Sequence, residues 1–194
     1  YQAGLAALTP GNFFKIGLQM KERFWEKEGI YGGITSTNQP INQIWYPSHG
    51  IHSKKGVVLS AYTFFGQCEF FEKMTPAERL SFAANCGEKV HPGYADSIEA
   101  GVSVPWGRMN HMMGCGTSWS TGRPWEDSNS QLRDKYYELL QQPAGGRHFM
   151  ICDQISYHSS LQEGAFGSAE FALLELDRRV RAESGESRMG QDNA

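Results

Sequence analysis

The chain has 194 residues, a formal net charge of −3 at neutral pH and 40% hydrophobic residues, which is enough for one ordinary domain with a core. Nearly balanced charge excludes the basic footprint of a nucleic-acid binder, and no apolar run reaches the ~20 residues of a membrane span. The four cysteines lack paired metal-ligand spacing, so no zinc site is predicted. A soluble chain is expected, cytoplasmic or exported after processing, and the first residue, Tyr1, indicates a processed chain or a fragment.

The first half of the chain alternates between strand and helix signals, which predicts an α+β fold. Strands rich in β-branched and aromatic residues are predicted at residues 12–20, 34–37, 43–46 and 57–65. Residues 21–28 are predicted to form a short amphipathic turn. The run Thr75-Pro76-Ala77-Glu78 supplies a Thr cap, a proline at the first helical position and an acid three residues on. A helix is therefore predicted from there to about residue 86.

The second half is predicted to contain two further strands and two helices. The strands are residues 103–106 and 148–153, and a Gly-, Ser- and Thr-rich loop is predicted at residues 114–124. A helix at residues 128–142 is predicted to turn Leu132, Tyr136, Leu139 and Leu140 inward. A long helix should start near Leu161 and run to about Arg181, with one apolar face made of Ala165, Phe166, Ala169, Phe171, Ala172, Leu173 and Leu176.

The last strand, the polar crossing after it and the start of the long helix form one unit with potential chemistry. Asp153 ends the predicted strand, and Gly164 lies in the first helical turn. A carboxylate at a strand end can hold a ribose or ribitol hydroxyl, while a helix N-terminus favours an electron-rich group. The alternative from these residues alone is an ordinary strand–helix packing unit.

Lys15 is unusual because it lies within an apolar strand. One interpretation is a lysine at a strand edge whose amine reaches water. The other is a partly desolvated amine that holds a water molecule or activates oxygen beside a cofactor. The residues themselves leave both interpretations open.

Residues 149–165 resemble the carboxy-terminal flavin motif of the flavin amine oxidases, Phe-Ala-Gly-x-(Glu/Asp) followed by (Trp/Tyr)-x-Glu-Gly-Ala. Asp153 and Glu163-Gly164-Ala165 match this motif, whereas Met150-Ile151 replaces Ala-Gly and Leu161 replaces the aromatic residue. The resemblance implies a flavin that contacts this segment.

Two other segments resemble monoamine oxidases. Residues 15–25 are similar to the Lys-x5-Lys-Glu-x-Phe-Trp segment, which implies that Lys15 bonds a water at flavin N5. The spacing from Trp106 to Cys115 matches a tryptophan that contacts the flavin and a cysteine that carries it as a thioether. However, Gly116 and Leu161 stand where that branch has the two walls of its aromatic cage.

The remaining resemblance favours the amino-acid branch. Residues 32–40, 45–48 and 56–63 are similar to bacterial L-amino acid oxidases and to phenylalanine or tryptophan monooxygenases. That branch usually holds FAD non-covalently, so Cys115 is predicted to be unmodified. A monoamine or polyamine oxidase, a decarboxylating monooxygenase and a non-catalytic subunit that keeps the fold are the alternatives.

The resemblance implies an FAD-dependent L-amino acid oxidase that gives a 2-oxo acid, ammonia and hydrogen peroxide, with O2 as acceptor. The implied catalytic residue is Lys15, and the implied cofactor-binding residues are Trp106, Cys152, Asp153, Leu161, Gln162, Gly164 and Ala165. The implied substrate-binding residues are Gly116, Ser160 and Leu161.

The implied architecture is the carboxy-terminal part of a two-domain flavin amine oxidase fold. Residues 1–105 are expected in a mixed-sheet substrate domain, residues 106–182 in the FAD domain and residues 183–194 in a polar, disordered tail. The Gly-x-Gly-x-x-Gly turn that cradles the FAD pyrophosphate is absent from the sequence. A partner chain that carries this FAD-binding half is therefore expected, in a higher oligomer, with no nucleic-acid or membrane partner.

Overall fold

The computed structural model describes residues 1–112, 114–115, 117–119, 135, 137, 140–143, 145–156, 158 and 161–184. The chain divides into two compact units, Gly11–Cys115 and the pair of segments Tyr1–Pro10 and Gly116–Ala194. The domain boundary expected between residues 105 and 106 stays a prediction about the complete fold.

The first unit is built on a five-stranded sheet with the order β3-β4-β5-β2-β6. The strands are β2 (Phe13–Met20), β3 (Ile34–Ser36), β4 (Gln43–Trp45), β5 (Gly56–Phe64) and β6 (Ile98–Pro105). The helices are α2 (Phe24–Lys27), α3 (Cys68–Glu72) and α4 (Pro76–Glu88). The predicted α+β class is confirmed. Every described pairing is antiparallel, whereas the family resemblance implied a mixed sheet.

The interior strand β2 shows the two faces of this sheet clearly because its side chains alternate between them. Phe14, Ile16, Leu18 and Met20 are fully buried, and the residues between them are only partly buried. The Phe14 ring stacks on Phe71 of α3 with ring centroids 4.6 Å apart. Because burying one large apolar side chain stabilises a fold by ~1.5–3 kcal/mol, these four residues anchor the helices to one face.

A β-bulge interrupts the pairing of β2 with β5. Ile16 pairs with Ala61 and Gly17 pairs with Leu59, which leaves Ser60 as the extra residue. The Ser60 hydroxyl is buried and accepts a hydrogen bond from the Tyr94 hydroxyl at 2.9 Å. The bulge therefore holds the segment after α4 to the core face of the sheet.

The boundaries of β6 differ from the sequence prediction. This strand begins at Ile98 rather than at residue 103, because antiparallel pairing with β2 extends to the pair Met20 and Ile98. Trp106, predicted to lie in the strand, instead opens a 3₁₀ turn, Trp106–Arg108. The short helix α3 was not predicted at all.

The second unit contains α1 (Gln2–Ala6), β1 (Leu8–Pro10), β7 (Thr117–Trp119) and α5 (Gln162–Ser184). Strands β1 and β7 pair antiparallel, so the predicted loop at residues 114–124 contains a strand. Four described residues of the helix predicted at 128–142 are helical: Lys135, Tyr137, Leu140 and Gln141. Leu132, Tyr136 and Leu139, like the tail beyond Ser184, lie outside the described residues.

The strand predicted at residues 148–153 is wrong. Only His148 forms an isolated bridge, and Asp153 opens a 3₁₀ turn, Asp153–Ile155. The Ser156 hydroxyl donates to the Asp153 carbonyl at 3.0 Å and accepts from the His158 N–H at 3.0 Å, so the chain turns where an extended strand was expected.

Helix α5 forms as predicted, but most of the large apolar residues of its predicted apolar face are exposed. The buried residues of α5 are Gly164, Ser168 and Ala172. The exposed apolar residues are Phe166, Phe171, Leu173, Leu174, Leu176 and Val180. The described part of the chain therefore leaves an apolar side of α5 uncovered. No described helix is both long enough and apolar enough to cross a membrane.

The capping box of α4 gives a direct test of the local sequence signal. The Thr75 hydroxyl accepts from the Glu78 N–H, and the Glu78 carboxylate accepts from the Thr75 N–H at 2.7 Å. Thr75→Ala should therefore lower the free energy of unfolding by ~1 kcal/mol, measured by urea titration. Ser81→Ala, an exposed change within the same helix, is the control and should have a smaller effect. Equal effects of the two changes would show that the cap is unimportant.

Candidate functional site

Lys15 lies on β2, an interior strand of the sheet, and points away from the buried core. It alternates with Phe14 and Ile16, as the sequence predicted, and pairs with Tyr62 of β5 and Val104 of β6. Its Nζ atom lies 4.6 Å from the centroid of the Tyr62 ring. An ammonium over an aromatic face is stabilised by the ring quadrupole, so Tyr62 holds the Lys15 charge in place.

Aromatic rings surround Lys15 on this face. Phe13 packs on Phe64 with ring centroids 5.2 Å apart, and Tyr62 packs on Phe64 at 4.5 Å and on Trp45 at 5.6 Å. We call Phe13, Lys15, Trp45, Tyr62 and Phe64 the aromatic face. It presents one cation among ring surfaces, an arrangement suited to a flat, electron-rich ligand.

The Tyr62 hydroxyl adds no negative charge to the aromatic face. Burial raises the pKa of the Tyr62 hydroxyl, and the nearby Cys115 thiol raises it further. Tyr62 is therefore a neutral phenol at physiological pH. Within the described residues no carboxylate forms an ion pair with Lys15, so no salt bridge neutralises its charge there.

Trp106 and Cys115 return to the same end of β2. Trp106 directly follows Pro105, whose register partner is Phe14, and the Cys115 N–H donates to the Gly11 carbonyl at 2.8 Å. The Trp106 indole nitrogen is buried and has no hydrogen-bond partner among the described residues. A buried donor without an acceptor is costly, so the indole fits the predicted contact with a ligand that carries acceptors.

Cys152, predicted to bind the cofactor, belongs to a small core in the second unit. Leu140 and Ile155 are the buried residues of that core, and Cys152 and Tyr1 pack against them. Burial raises the pKa of the Cys152 thiol, which keeps the sulfur protonated at neutral pH. Packing in this core therefore accounts for a cysteine at position 152 without a cofactor contact.

Gly164 is also explained by packing. A Cβ atom at this position would lie 2.1 Å from Ser156 Oγ and 2.4 Å from the His158 carbonyl oxygen. The loop before α5 therefore passes directly over the first helical turn, and only glycine leaves it room. This contact requires Gly164 whether or not a flavin lies nearby.

The predicted site residues fall into two groups that the structure places in different units. Lys15 and Trp106 belong to the unit Gly11–Cys115. The other described members, Cys152, Asp153, Leu161, Gln162, Gly164 and Ala165, belong to the second unit. Gly116 and Ser160 lie outside the described residues. Leu161 and Gln162 are exposed at the start of α5, and Asp153 lies in a turn rather than at a strand end.

Sequence reasoning missed most of the aromatic face. The residues that it did not assign are Phe13, Trp45, Tyr62 and Phe64. Alternation within residues 57–65 could have placed Tyr62 and Phe64 on one side of the strand. Their partnership with Lys15 depends on the register between β2 and β5, which the sequence does not supply.

Comparison with known proteins identifies the family of this chain. Residues 2–172 match the model of the family described as flavin containing amine oxidoreductase. This chain belongs to that family, and the family description confirms the predicted flavin cofactor.

Two relatives have names from the amino-acid branch. YobN of Bacillus subtilis, which has a provisional L-amino-acid oxidase name, is 27% identical over 166 residues, 84% of this chain and 33% of YobN. The L-amino-acid oxidase of Naja atra is 30% identical over 139 residues, 70% of this chain and 25% of that protein. The chain thus spans about a quarter to a third of the length of these relatives.

Solved structures show the same fold. Wild-type putrescine oxidase bound to putrescine superposes with a TM-score of 0.70 at 14% identity, covering 93% of this chain and 37% of that one. Cyclohexylamine oxidase from Brevibacterium oxydans superposes with a TM-score of 0.61 at 18% identity, covering 89% of this chain and 37% of that one. The described fold is therefore a segment of the flavin amine oxidase fold.

The packing explanation for Gly164 can be tested within α5 itself. Gly164→Ala should lower the free energy of unfolding by ~1–3 kcal/mol, because the new methyl group overlaps the His158 carbonyl. Gly167→Ala is the matched control, since a Cβ there meets nothing within 4 Å. It should stabilise the helix by ~0.5–1 kcal/mol.

Ser156→Ala is made alone and together with Gly164→Ala, because it removes two hydrogen bonds as well as the nearer contact. The cost of Gly164→Ala should be smaller in the Ser156→Ala background than in the wild type. Urea titration of the four variants measures all these effects. The explanation is wrong if Gly164→Ala and Gly167→Ala have the same effect.

Proposed function

We propose that this chain is the carboxy-terminal part of an FAD-dependent L-amino acid oxidase. The observation that supports this most directly is the aromatic face with Lys15 at its centre, in a chain whose relatives include L-amino-acid oxidases. The reaction would convert an L-amino acid, O2 and water into a 2-oxo acid, ammonia and hydrogen peroxide. The amine oxidase neighbours share the fold at 14–18% identity, which does not favour an amine over an amino acid as substrate.

In this proposal the chain supplies position and charge, while the cofactor supplies the redox chemistry. When bound, FAD supplies a two-electron acceptor for the hydride of the substrate α-carbon. Lys15 holds a water molecule and a positive charge on the aromatic face, where negative charge builds up during turnover. Trp106 offers its ring and its N–H, which has no partner among the described residues, to the cofactor. The aromatic rings leave Lys15 only partly exposed, and the lower local dielectric strengthens the effect of its charge.

The predicted cofactor-binding residues at and before the start of α5 keep the roles that the family resemblance implies. The proposed roles are a hydroxyl contact for Asp153 and backbone contacts for Leu161, Gln162 and Ala165 at the start of α5. The proposed substrate-binding residues remain Gly116, Ser160 and Leu161. Cys115 would remain a free thiol, so the flavin should leave the denatured protein without covalent attachment.

The Lys15 role predicts a specific kinetic defect. Lys15→Met should keep the fold and the flavin but slow turnover by two to three decades, because losing a positioned charge in a water-poor site costs ~3–4 kcal/mol. Stopped-flow measurements with an L-amino acid should follow flavin reduction and reoxidation separately. Lys73→Met, at an exposed position of the same unit, is the control and should leave both rates unchanged.

If both rates of Lys15→Met stay within about threefold of wild type, roughly 0.7 kcal/mol, Lys15 has no catalytic role. Peroxide and carbon dioxide should be measured in the same reactions. Peroxide with 2-oxo acid supports an oxidase, whereas carbon dioxide with an amide product supports a decarboxylating monooxygenase. A complex without flavin absorbance would instead support a non-catalytic binding module.

We propose further that a partner chain carrying the glycine-rich FAD-binding half covers the exposed apolar side of α5. Phe166 is 73% exposed, Leu173 is 62% exposed and Leu174 is 65% exposed, which is unusual for large apolar side chains on one helix. The chain spans about a third of YobN and of putrescine oxidase, and its sequence lacks the glycine-rich turn. The missing part of the fold is therefore the occupant that this surface fits.

If the FAD-binding half covers the apolar side of α5, a charged residue introduced there should weaken the complex of the two chains. Phe166→Glu should weaken the complex with the FAD-binding half at least ~10-fold, because burying a large apolar side chain contributes ~1.5–3 kcal/mol. Ile51→Glu is the control, since Ile51 is also exposed (45%) but lies in the other unit. Flavin retained after gel filtration of the co-expressed chains measures assembly. Equal retention by both variants, or flavin bound by residues 1–194 alone, would contradict the proposal.

A further inference from the structure

A ring of hydrogen bonds includes the turn that carries Trp106. None of the residues that form these bonds was predicted as a site residue. The Gly107 N–H donates to Asn12 Oδ1 at 3.2 Å, and Asn12 Nδ2 donates to Glu72 Oε1 at 2.8 Å. Arg108 Nε donates to Glu72 Oε2 at 3.1 Å, which closes the ring. The ring joins the residue before β2, the last residue of α3 and the Trp106–Arg108 turn.

The ring is anchored on its Asn12 side. The Asn12 carbonyl accepts from the Phe65 N–H at 2.7 Å and from Cys68 Sγ at 3.4 Å, so its backbone is fixed to the end of β5 and the start of α3. A Cβ atom on Gly107 would lie 2.5 Å from Asn12 Oδ1. The turn is therefore packed directly against the Asn12 side chain as well as hydrogen-bonded to it.

The Glu72 side of the ring is largely shielded from water. The Glu72 side chain is only 5% exposed, while its partner Arg108 is 70% exposed. A nearly buried carboxylate needs its hydrogen bonds, because leaving a buried charge unpaired is strongly destabilising. Glu72 is therefore held by Arg108 and in turn orients the Asn12 amide, whose oxygen points to Gly107.

We infer that Asn12 and Glu72 are positioning residues that fix Trp106 relative to Lys15. This inference rests on the proposed function, in which the indole and the lysine contact the same flavin. Asn12 precedes Lys15 by three residues and bonds the amide that directly follows Trp106, so it links the two by a short path. A displacement of about 1 Å at such a site can slow a reaction ~10²-fold. Without the ring, the turn would be free to move away from the start of β2.

The test uses the FAD-loaded complex of the protein with Asn12→Leu, which keeps the volume of the side chain but removes both hydrogen bonds. Amide hydrogen exchange at Gly107 should become at least ~10-fold faster, because its acceptor is lost. The same exchange measured after flavin removal should show the same change. Flavin reduction by an L-amino acid should slow ~10-fold, while KM changes less than kcat.

A double-mutant cycle separates positioning from general destabilisation. In a Trp106→Phe background, Asn12→Leu should slow flavin reduction less than ~2-fold further, because its effect passes through the Trp106 turn. Glu72→Gln is a milder second variant, since it keeps one carbonyl-type acceptor and loses the other. It should change Gly107 exchange and flavin reduction in the same directions as Asn12→Leu, but by smaller factors. Asn85→Leu and Glu99→Gln, both at exposed positions of the same unit, are the matched controls and should leave exchange and reduction unchanged.

Two outcomes would overturn the inference. One is unchanged Gly107 exchange in Asn12→Leu and Glu72→Gln; the other is an equal slowing of reduction in the wild-type and Trp106→Phe backgrounds. These outcomes are distinct from a failure of the proposed function, in which no flavin or no turnover is found. In that case the exchange of Gly107 still reports whether the ring holds the turn.

Discussion

The strict alternation of side chains along β2 is the constraint on which the first unit depends. This strand is hydrogen-bonded on both sides, to β5 and to β6, so its register is fixed by two neighbours at once. A slip of one residue would move Phe14 and Ile16 out of the core and bury the Lys15 ammonium among aliphatic side chains. The same pairing that builds the hydrophobic core therefore also presents the cation on the opposite face.

Buried polar contacts hold the helical layer in place behind that face. Arg79 of α4 donates to the Phe71 carbonyl at 2.8 Å and lies over the Phe14 ring at 5.5 Å, so one side chain ties both helices to β2. At the other end, His91 Nε2 lies 2.6 Å from the Tyr46 hydroxyl and His91 Nδ1 lies 2.8 Å from Glu28. Each of these polar groups has a hydrogen-bond partner. They therefore fix the packing of the helical layer without the free-energy cost of buried, unpaired donors.

Signals within a few residues predicted most of the helices and strands. Features that depend on contacts between distant residues could not be predicted from the sequence. The capping box at Thr75 and the alternation around Lys15 are encoded within a few residues, and both are seen in the structure. The strand predicted at residues 148–153 failed because an apolar run forms a strand only beside a partner, whereas Ser156 bonds the Asp153 carbonyl and turns the chain. The apolar spacing of α5 indicated a helix, but spacing alone cannot tell which other surface covers it. Similarly, Tyr62 and Asn12 acquire their places only through register and through contacts between distant residues.

The position of β6 at the edge of the sheet has a consequence for handling the protein. Within the described residues β6 pairs with β2 alone, so its outer row of backbone N–H and C=O groups faces outward beside the exposed Val102 side chain. Such an edge is a template for intermolecular strand addition, and Pro105 blocks it at one end only. The rate of association between chains along this edge would rise with protein concentration, whereas the rate of folding within one chain would not. Dilute refolding and low expression temperature should therefore favour soluble material over aggregates of otherwise correctly folded chains.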